Sequence, residues 1–93
     1  MTYNYETMAV FSVAAGEENA KALIEKFQGM IEANGTLESV DDWGKRRLAY
    51  PINDEPEGYY VIFNYSANGE FPAELDRVFK ITDGVLRSLI IRK

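Results

Sequence analysis

Near its middle, the 93-residue chain reads Trp43-Gly44-Lys45-Arg46-Arg47-Leu48-Ala49-Tyr50-Pro51-Ile52, three cations followed directly by apolar residues. This order predicts a strand that presents the cations at an exposed end and then enters the core. Arginine is favoured where a phosphate or carboxylate has to be met by two hydrogen bonds. A solvated basic strand edge that deters aggregation is the simpler interpretation. The run by itself leaves both interpretations open.

Two segments outside this run have the pattern of helices. Glu17 and Glu18 open the first helix, where acids suit the helix dipole, and Asn34-Gly35 stops it. Pro72 begins the second helix, at a position where its missing N–H costs little. Both have an apolar face at helical spacing, formed by Ala20, Leu23, Ile24, Phe27 and Ile31 in the first and by Leu75, Val78 and Phe79 in the second.

Four segments have the pattern of strands. We predict them at Tyr3–Val13, at Leu37–Trp43 with a continuation through Ala49, at Tyr59–Tyr65 and at Val85–Ile91. Gly44 allows a bulge inside the second strand. Turns are predicted at Gly16, in a loop from Asp54 to Gly58, at Asn68-Gly69 and at Asp83-Gly84.

The resulting order is βαββαβ, with no repeat of fixed period and no linker. It predicts a single domain over residues 1–93 of the α+β class. The expected architecture is a ferredoxin-like sandwich, in which two helices cover one face of a four-stranded antiparallel sheet. The other face is left to solvent or to a partner. Because this fold serves many functions, it names none.

Composition excludes several classes of function. Hydrophobic residues make up 46% of the chain, which supports a packed core over disorder. The absence of Cys and His removes the thiolate nucleophile, the zinc–thiolate site and the commonest general base. No apolar run approaches the roughly 20 residues of a membrane span, and the first residues lack the regions of a signal peptide. We expect a cytoplasmic domain with no metal or cofactor.

The charge is acidic overall and uneven. The net charge is -5; residues 1–44 contain 8 acids and 2 bases, whereas residues 45–93 contain 7 acids and 8 bases. Affinity for phosphate comes mainly from cations that release counterions, so this balance opposes tight binding to nucleic acid by the chain alone. It suits a basic protein partner.

The third strand partly matches the RNA recognition motif, whose consensus is basic-Gly-aromatic-small-aromatic-Val-any-aromatic. Residues 57–63 keep the glycine and the aromatics, but the small residue is missing and Glu57 replaces the base. A missing residue turns every later side chain to the opposite face, so Tyr59 and Tyr60 cannot both stack on bases. The expected core face is Tyr59, Val61, Phe63 and Tyr65, which leaves Tyr60 and Ile62 on the open face as a protein-contact surface.

The predicted second strand contains two adjacent acids followed by an aromatic residue, Asp41-Asp42-Trp43. Adjacent strand residues point to opposite faces, so the two carboxylates make a poor shared catalytic or metal site. An exposed, solvated strand is the simplest interpretation. The alternative is a partner surface, in which an aspartate meets a basic protein and Trp43 is an aromatic anchor.

The last strand and its approach are basic. Arg77 and Lys80 are expected to solvate the outer face of the second helix. Arg87 shares a face with Leu89 and Ile91. If the alternate residues face the helices, Arg87 lies on the open face, where it can contact a phosphate or a carboxylate.

The chain lacks the catalytic signatures of enzymes that have this fold. An acylphosphatase-like site needs an arginine in the loop after the first strand, and residues 13–16 contain none. Gly16 alone is weak evidence for an amino-acid-sensing domain, which also usually accompanies a catalytic or DNA-binding domain. We do not expect an enzyme.

The stretch Gly44 to Ile52 closely resembles the signature of the sixth protein of the bacterial small ribosomal subunit. The layout agrees over essentially the whole chain. The matching features are Tyr5-Glu6 on the first strand, Asn34-Gly35 after the first helix, Pro56-Glu57-Gly58-Tyr59-Tyr60 at the third strand and Ile81-Thr82-Asp83-Gly84-Val85 before the last.

This resemblance implies a structural role in the ribosome. Members of that family pair with the small, strongly basic ribosomal protein eighteen, and the pair binds the central domain of small-subunit ribosomal RNA. The RNA-facing residues implied here are Lys45, Arg46, Arg47, Arg87 and Arg92. The partner-facing residues implied are Asp41, Asp42, Trp43 and Tyr60.

Two departures from the family pattern imply heavier reliance on the partner. Residues 1–4 carry no base, where members can carry arginines, and the chain stops at Lys93 without the tail of some members. The competing hypothesis is a small ligand-binding or regulatory module that self-associates through its open sheet face. That hypothesis gives no reason for the order of residues 45–52.

Overall fold

A computed structural model describes residues 2–14, 16–52 and 55–93 and confirms the order βαββαβ. The elements are β1 Thr2–Phe11, α1 Glu17–Asn34, β2 Gly35–Ile52, β3 Glu55–Asn68, α2 Phe71–Ile81 and β4 Val85–Arg92. The strands form one antiparallel sheet in the spatial order β2-β3-β1-β4. This is the predicted ferredoxin-like arrangement. Within the described ranges, no helix combines the length and apolar character needed to cross a membrane.

The core lies between the helices and one face of the sheet. Phe11, Val61 and Phe63 of the central strands are fully buried there, and each such side chain stabilises the fold by about 1.5–3 kcal/mol. The rings of Phe27 in α1 and Phe79 in α2 lie 4.3 Å apart, so the core joins both helices to the sheet. The predicted core face of the third strand is confirmed.

The start of α2 is fixed by Asn68. Its side-chain oxygen accepts hydrogen bonds from the backbone N–H groups of Glu70, at 3.0 Å, and Phe71, at 2.9 Å. These groups would otherwise lack partners at a helix N-terminus. Pro72 follows in the first turn, as predicted.

The predicted loop from Asp54 to Gly58 is wrong, because β3 already begins at Glu55; Asp54 itself lies outside the described residues. The turn signals that predict the loop are Pro56 and Gly58. Pro56 is tolerated inside the strand because the pairing of β2 with β3 is irregular between Arg47 and Ile52, so it has no partner in that ladder. The start of β4 at Val85 agrees with the prediction, and the other strand ends differ from it by at most three residues.

Gly35 confirms the predicted end of the first helix, but for a different physical reason. Its φ of -172° is extended backbone, which any residue adopts. The constraint is space, since β2 begins here and pairs at once with β3. A Cβ at this position would collide with the backbone oxygen of Ser66 and lie 3.0 Å from the Cβ of Ala67.

We expect Gly35→Ala to destabilise the protein by about 1–3 kcal/mol, because the added methyl meets backbone that cannot move without disturbing the ladder. Gly29→Ala is the matched control, since Gly29 lies in α1 with open space around its Cβ position. That variant should be stabilised by about 0.5–1 kcal/mol. Urea unfolding of both variants measures the difference, and equal effects would contradict the steric account.

Candidate nucleic-acid and protein interface

The predicted basic run forms part of β2, and we call Lys45, Arg46 and Arg47 the basic segment. The three residues lie opposite Tyr59, Gly58 and Glu57 on β3. Their side chains are exposed, and none has an ion-pair or hydrogen-bond partner among the residues that the structure describes. Since β2 is an edge strand of the sheet, the cations are accessible to an anionic ligand.

A bulge precedes the basic segment, as predicted from Gly44. The register of β2 against β3 shifts between Asp42 and Gly44, so Trp43 is the extra residue. Gly44 adopts a φ of +73°, which favours glycine, and its backbone N–H donates to Asp42 Oδ1 at 3.0 Å. The indole of Trp43 is 53% exposed. The bulge therefore presents a large aromatic side chain beside the cations.

Asp41 and Asp42 point to opposite faces, as predicted. Asp41 is exposed and lies opposite Ile62, on the face away from the helices. Asp42 lies opposite Val61, and its Oδ2 accepts a hydrogen bond from the Tyr59 hydroxyl at 2.8 Å. Burial, the hydrogen bond to Asp42 and the charge of Asp42 raise the pKa of Tyr59 to about 12. Asp42 thus has partners within the chain, whereas Asp41 is available to a second molecule.

The sheet face away from the helices, which we call the open face, mixes apolar and polar side chains. The strand registers place on it Ser39 and Asp41 of β2, Tyr60, Ile62 and Asn64 of β3, Glu6, Met8 and Val10 of β1, and Arg87, Leu89 and Ile91 of β4. Leu89 and Ile91 are 51% and 48% exposed. The predicted positions of Tyr60 and Arg87 on this face are confirmed.

One end of the open face is covered by the hairpin itself, which sequence reasoning missed. We call residues 45–52 of β2 with residues 55–58 of β3 the hairpin arm. Leu48 in this arm is only 8% exposed, and Val10 on the open face is 1% exposed. Farther along, Arg87 on the opposite edge strand donates a hydrogen bond to the Tyr50 hydroxyl at 3.2 Å. The arm therefore reaches across the sheet.

Arg92 lies on the other side of the sheet from Arg87. It is paired with Tyr5, whose side chain is in the core, and its guanidinium stacks 3.8 Å from the ring centroid of Tyr3. Lys93, which the sequence did not single out, instead donates to Asn64 Oδ1 on the open face at 2.7 Å. The sequence could have indicated this, because side chains alternate between the two faces of a strand and Lys93 is an even number of residues from Arg87.

Other basic residues have roles within the fold. Arg77 pairs with Glu74 at 2.5 Å and Lys80 with Asp76 at 2.9 Å, all on α2. They solvate the helix surface, as expected. The described part of the chain contains no cluster of three or more acidic side chains that could hold a metal ion.

Comparison with known proteins identifies the family. The model of the family described as ribosomal protein S6 matches residues 4–92. The chain belongs to the ribosomal protein S6 family. It is 54% identical over 89 residues to small ribosomal subunit protein bS6 of Clostridium novyi, covering 95% of this chain and 94% of that one. It is 56% identical over 90 residues to the protein of the same name from Clostridium perfringens, covering 96% and 95%.

A solved structure agrees with this membership. The crystal structure of 30S ribosomal protein S6 from Thermotoga maritima superimposes with a TM-score of 0.92 at 26% identity, covering 100% of this chain and 89% of that chain. The resemblance drawn from residues 44–52 is therefore confirmed. Members of this family are structural, non-enzymatic components of the small ribosomal subunit, which places the protein in the cytoplasm within the ribosome.

The Tyr59 phenol should remain protonated until about pH 12. Because this pKa is raised from the ordinary value of 10.0, the associated stability is complete below pH 10 and is lost as the pH rises toward 12. Asp42→Asn removes the negative charge, so the pKa should fall yet stay above 10.0, since burial is the largest cause.

Ultraviolet titration of phenolate, taken as a difference from Tyr59→Phe, measures this pKa. Asp41→Asn is the control, because Asp41 lies on the opposite face and should leave Tyr59 unchanged. An equal shift in both variants would contradict the assignment to Asp42.

Proposed function

We propose that this protein binds the central domain of small-subunit ribosomal RNA together with the basic ribosomal protein eighteen. The observation that carries the proposal is the basic segment, three neighbouring cations with no partner among the described residues. Exposed guanidinium groups offer paired donors that match phosphate oxygens. The edge position of β2 lets a nucleic-acid backbone approach them without rearrangement of the sheet.

The need for a partner follows from charge. A net charge of -5 weakens attraction to RNA at long range. A basic protein bound to this chain would reverse the sign of the complex and add phosphate contacts. RNA binding should therefore depend strongly on the partner.

The open face supports a protein contact. Leu89 and Ile91 are half exposed there, and Asp41 and Glu6 supply negative charge on the same face. Exposed apolar area with a charged rim is the usual composition of a protein interface. A basic partner would bury the apolar side chains and meet the acids. Asp41, Trp43 and Tyr60 are the better placed of the partner-facing residues implied by the sequence, because Asp42 is hydrogen-bonded within the chain.

Among the residues predicted to face RNA, Arg87 and Arg92 lie on opposite sides of the sheet and would have to meet different parts of the RNA. Arg87 can contact RNA only beside the hairpin arm, where it already meets Tyr50. Arg92 stacks on Tyr3 on the other side of the sheet. Both roles stay predictions, and the basic segment is the part of the site that we expect to carry most of the affinity.

Titration of a central-domain RNA fragment with the protein, with and without ribosomal protein eighteen, tests the proposal. The expected result is little binding alone and tight, cooperative binding with the partner. A protein that self-associates and ignores both the RNA and the partner would contradict it.

We expect Arg46→Ala with Arg47→Ala to weaken RNA binding by the two-protein complex and to flatten its salt dependence by about 1–2 in log–log slope. Binding to the partner alone should not change. The matched control is Arg77→Ala with Lys80→Ala, which removes the same charge from α2. Equal losses in both double variants would show a general effect of charge and contradict a local contact.

Charge reversal on the open face should weaken the partner contact. We expect Asp41→Arg to reduce affinity for ribosomal protein eighteen about tenfold at low salt, mainly through slower association. Glu25→Arg, on the exposed side of α1, is the control and should have little effect. Calorimetric titration at two salt concentrations measures both. A loss confined to Glu25→Arg would place the partner on the helix side.

A further inference from the structure

Gly58 occupies a position with no room for a side chain. A Cβ there would collide with Val10 Cγ1 and would lie 3.6 Å from Leu48 Cδ2. Gly58 is not among the glycines with positive φ, so its backbone does not itself require glycine. What requires glycine is Val10 Cγ1, which occupies the space that a Cβ would need, with Leu48 Cδ2 at ordinary contact distance from the same space.

Both side chains lie beside Gly58, where the hairpin arm meets the sheet. Val10 is in the central strand β1, opposite Tyr60 on one side and Arg87 on the other. Leu48 directly follows the basic segment in the arm. Val10 cannot easily turn away, because a β-branched side chain is stiff at χ1 and this one is 1% exposed. Any side chain at position 58 must therefore displace the arm.

Gly58 is also directly opposite Arg46 in the ladder of β2 with β3. A displacement at position 58 is therefore transmitted to the middle of the basic segment. The Tyr50–Arg87 hydrogen bond, at the far side of the arm, would be lost with it.

We propose that Gly58 is a positioning residue: by leaving space for Val10 Cγ1 beside Leu48, it lets the arm lie on the open face and sets the position of the basic segment against RNA. This inference rests on the proposed function. It assigns to a glycine inside β3 a role in placing the cations.

The test compares Gly58→Ala with Gly58→Ala/Val10→Ala. The second substitution removes Val10 Cγ1, after which the added methyl meets only ordinary contacts with Phe11 and Leu48. With ribosomal protein eighteen present, Gly58→Ala should lower the affinity for RNA about tenfold. It should also reduce the slope of log affinity against log salt concentration by about 1. The double variant should recover both, and Leu48 methyl resonances should shift in the first and return in the second. Gly29→Ala, with open space at its Cβ, is the matched control and should bind as the wild type does.

Leu48→Ala provides a second route if Gly58→Ala does not fold. It releases the same contact from the arm and should flatten the salt slope with every cation still present. Unchanged affinity and slope in Leu48→Ala, or a loss in Gly58→Ala that the Val10 substitution does not recover, would overturn the role of Gly58. A wild-type complex that does not bind the RNA would overturn the proposed function itself, so the two failures are distinguishable.

Discussion

The antiparallel pairing of β2 with β3 organises both the covered sheet and the exposed basic segment. It begins at Gly35, directly after α1, and extends to the pair Ile52 and Glu55, beyond the region where β3 also pairs with β1. The inner part completes the sheet that the helices cover. The outer part has no neighbouring strand, so its cations stay exposed while Leu48 and Tyr50 reach over the open face. One hairpin therefore supplies both a strand of the sheet and the exposed basic segment.

The two faces of the sheet have different tasks. The helix face is apolar and closed, and its buried polar groups are paired, as in the 2.8 Å hydrogen bond between Thr7 and Tyr65. The open face keeps Leu89 and Ile91 half exposed beside acids and amides. A folded domain that retains such a face has apolar area left for a partner. Under the proposed function, this division would let an acidic protein take part in RNA binding, because the basic partner would supply cations that this chain lacks.

Much of this was predictable from sequence because it depends on periodicity. The alternation of Tyr59, Val61, Phe63 and Tyr65 fixed the core face, and the same rule placed Tyr60, Asp41 and Arg87 on the open face. The rule failed where contacts are distant in sequence. Nothing in the sequence around Leu48 indicates that it lies near Val10. Nothing around Tyr50 indicates its hydrogen bond with Arg87, which is 37 residues away in sequence. Pro56 and Gly58 misled for a related reason. Pro56 is tolerated in β3 because the pairing of β2 with β3 is irregular there, and Gly58 is needed because Val10, distant in sequence, leaves no room for a Cβ.

Hydrogen exchange of backbone amides tests the proposal that the partner binds the open face and that the basic segment meets the RNA. The protein would be compared alone, with ribosomal protein eighteen, with the RNA fragment, and with both. We expect the partner to protect the amides of β4 and β3, and RNA to protect residues 45–47 only when the partner is present. Full protection of residues 45–47 by RNA alone, or protection by the partner confined to the helices, would contradict it.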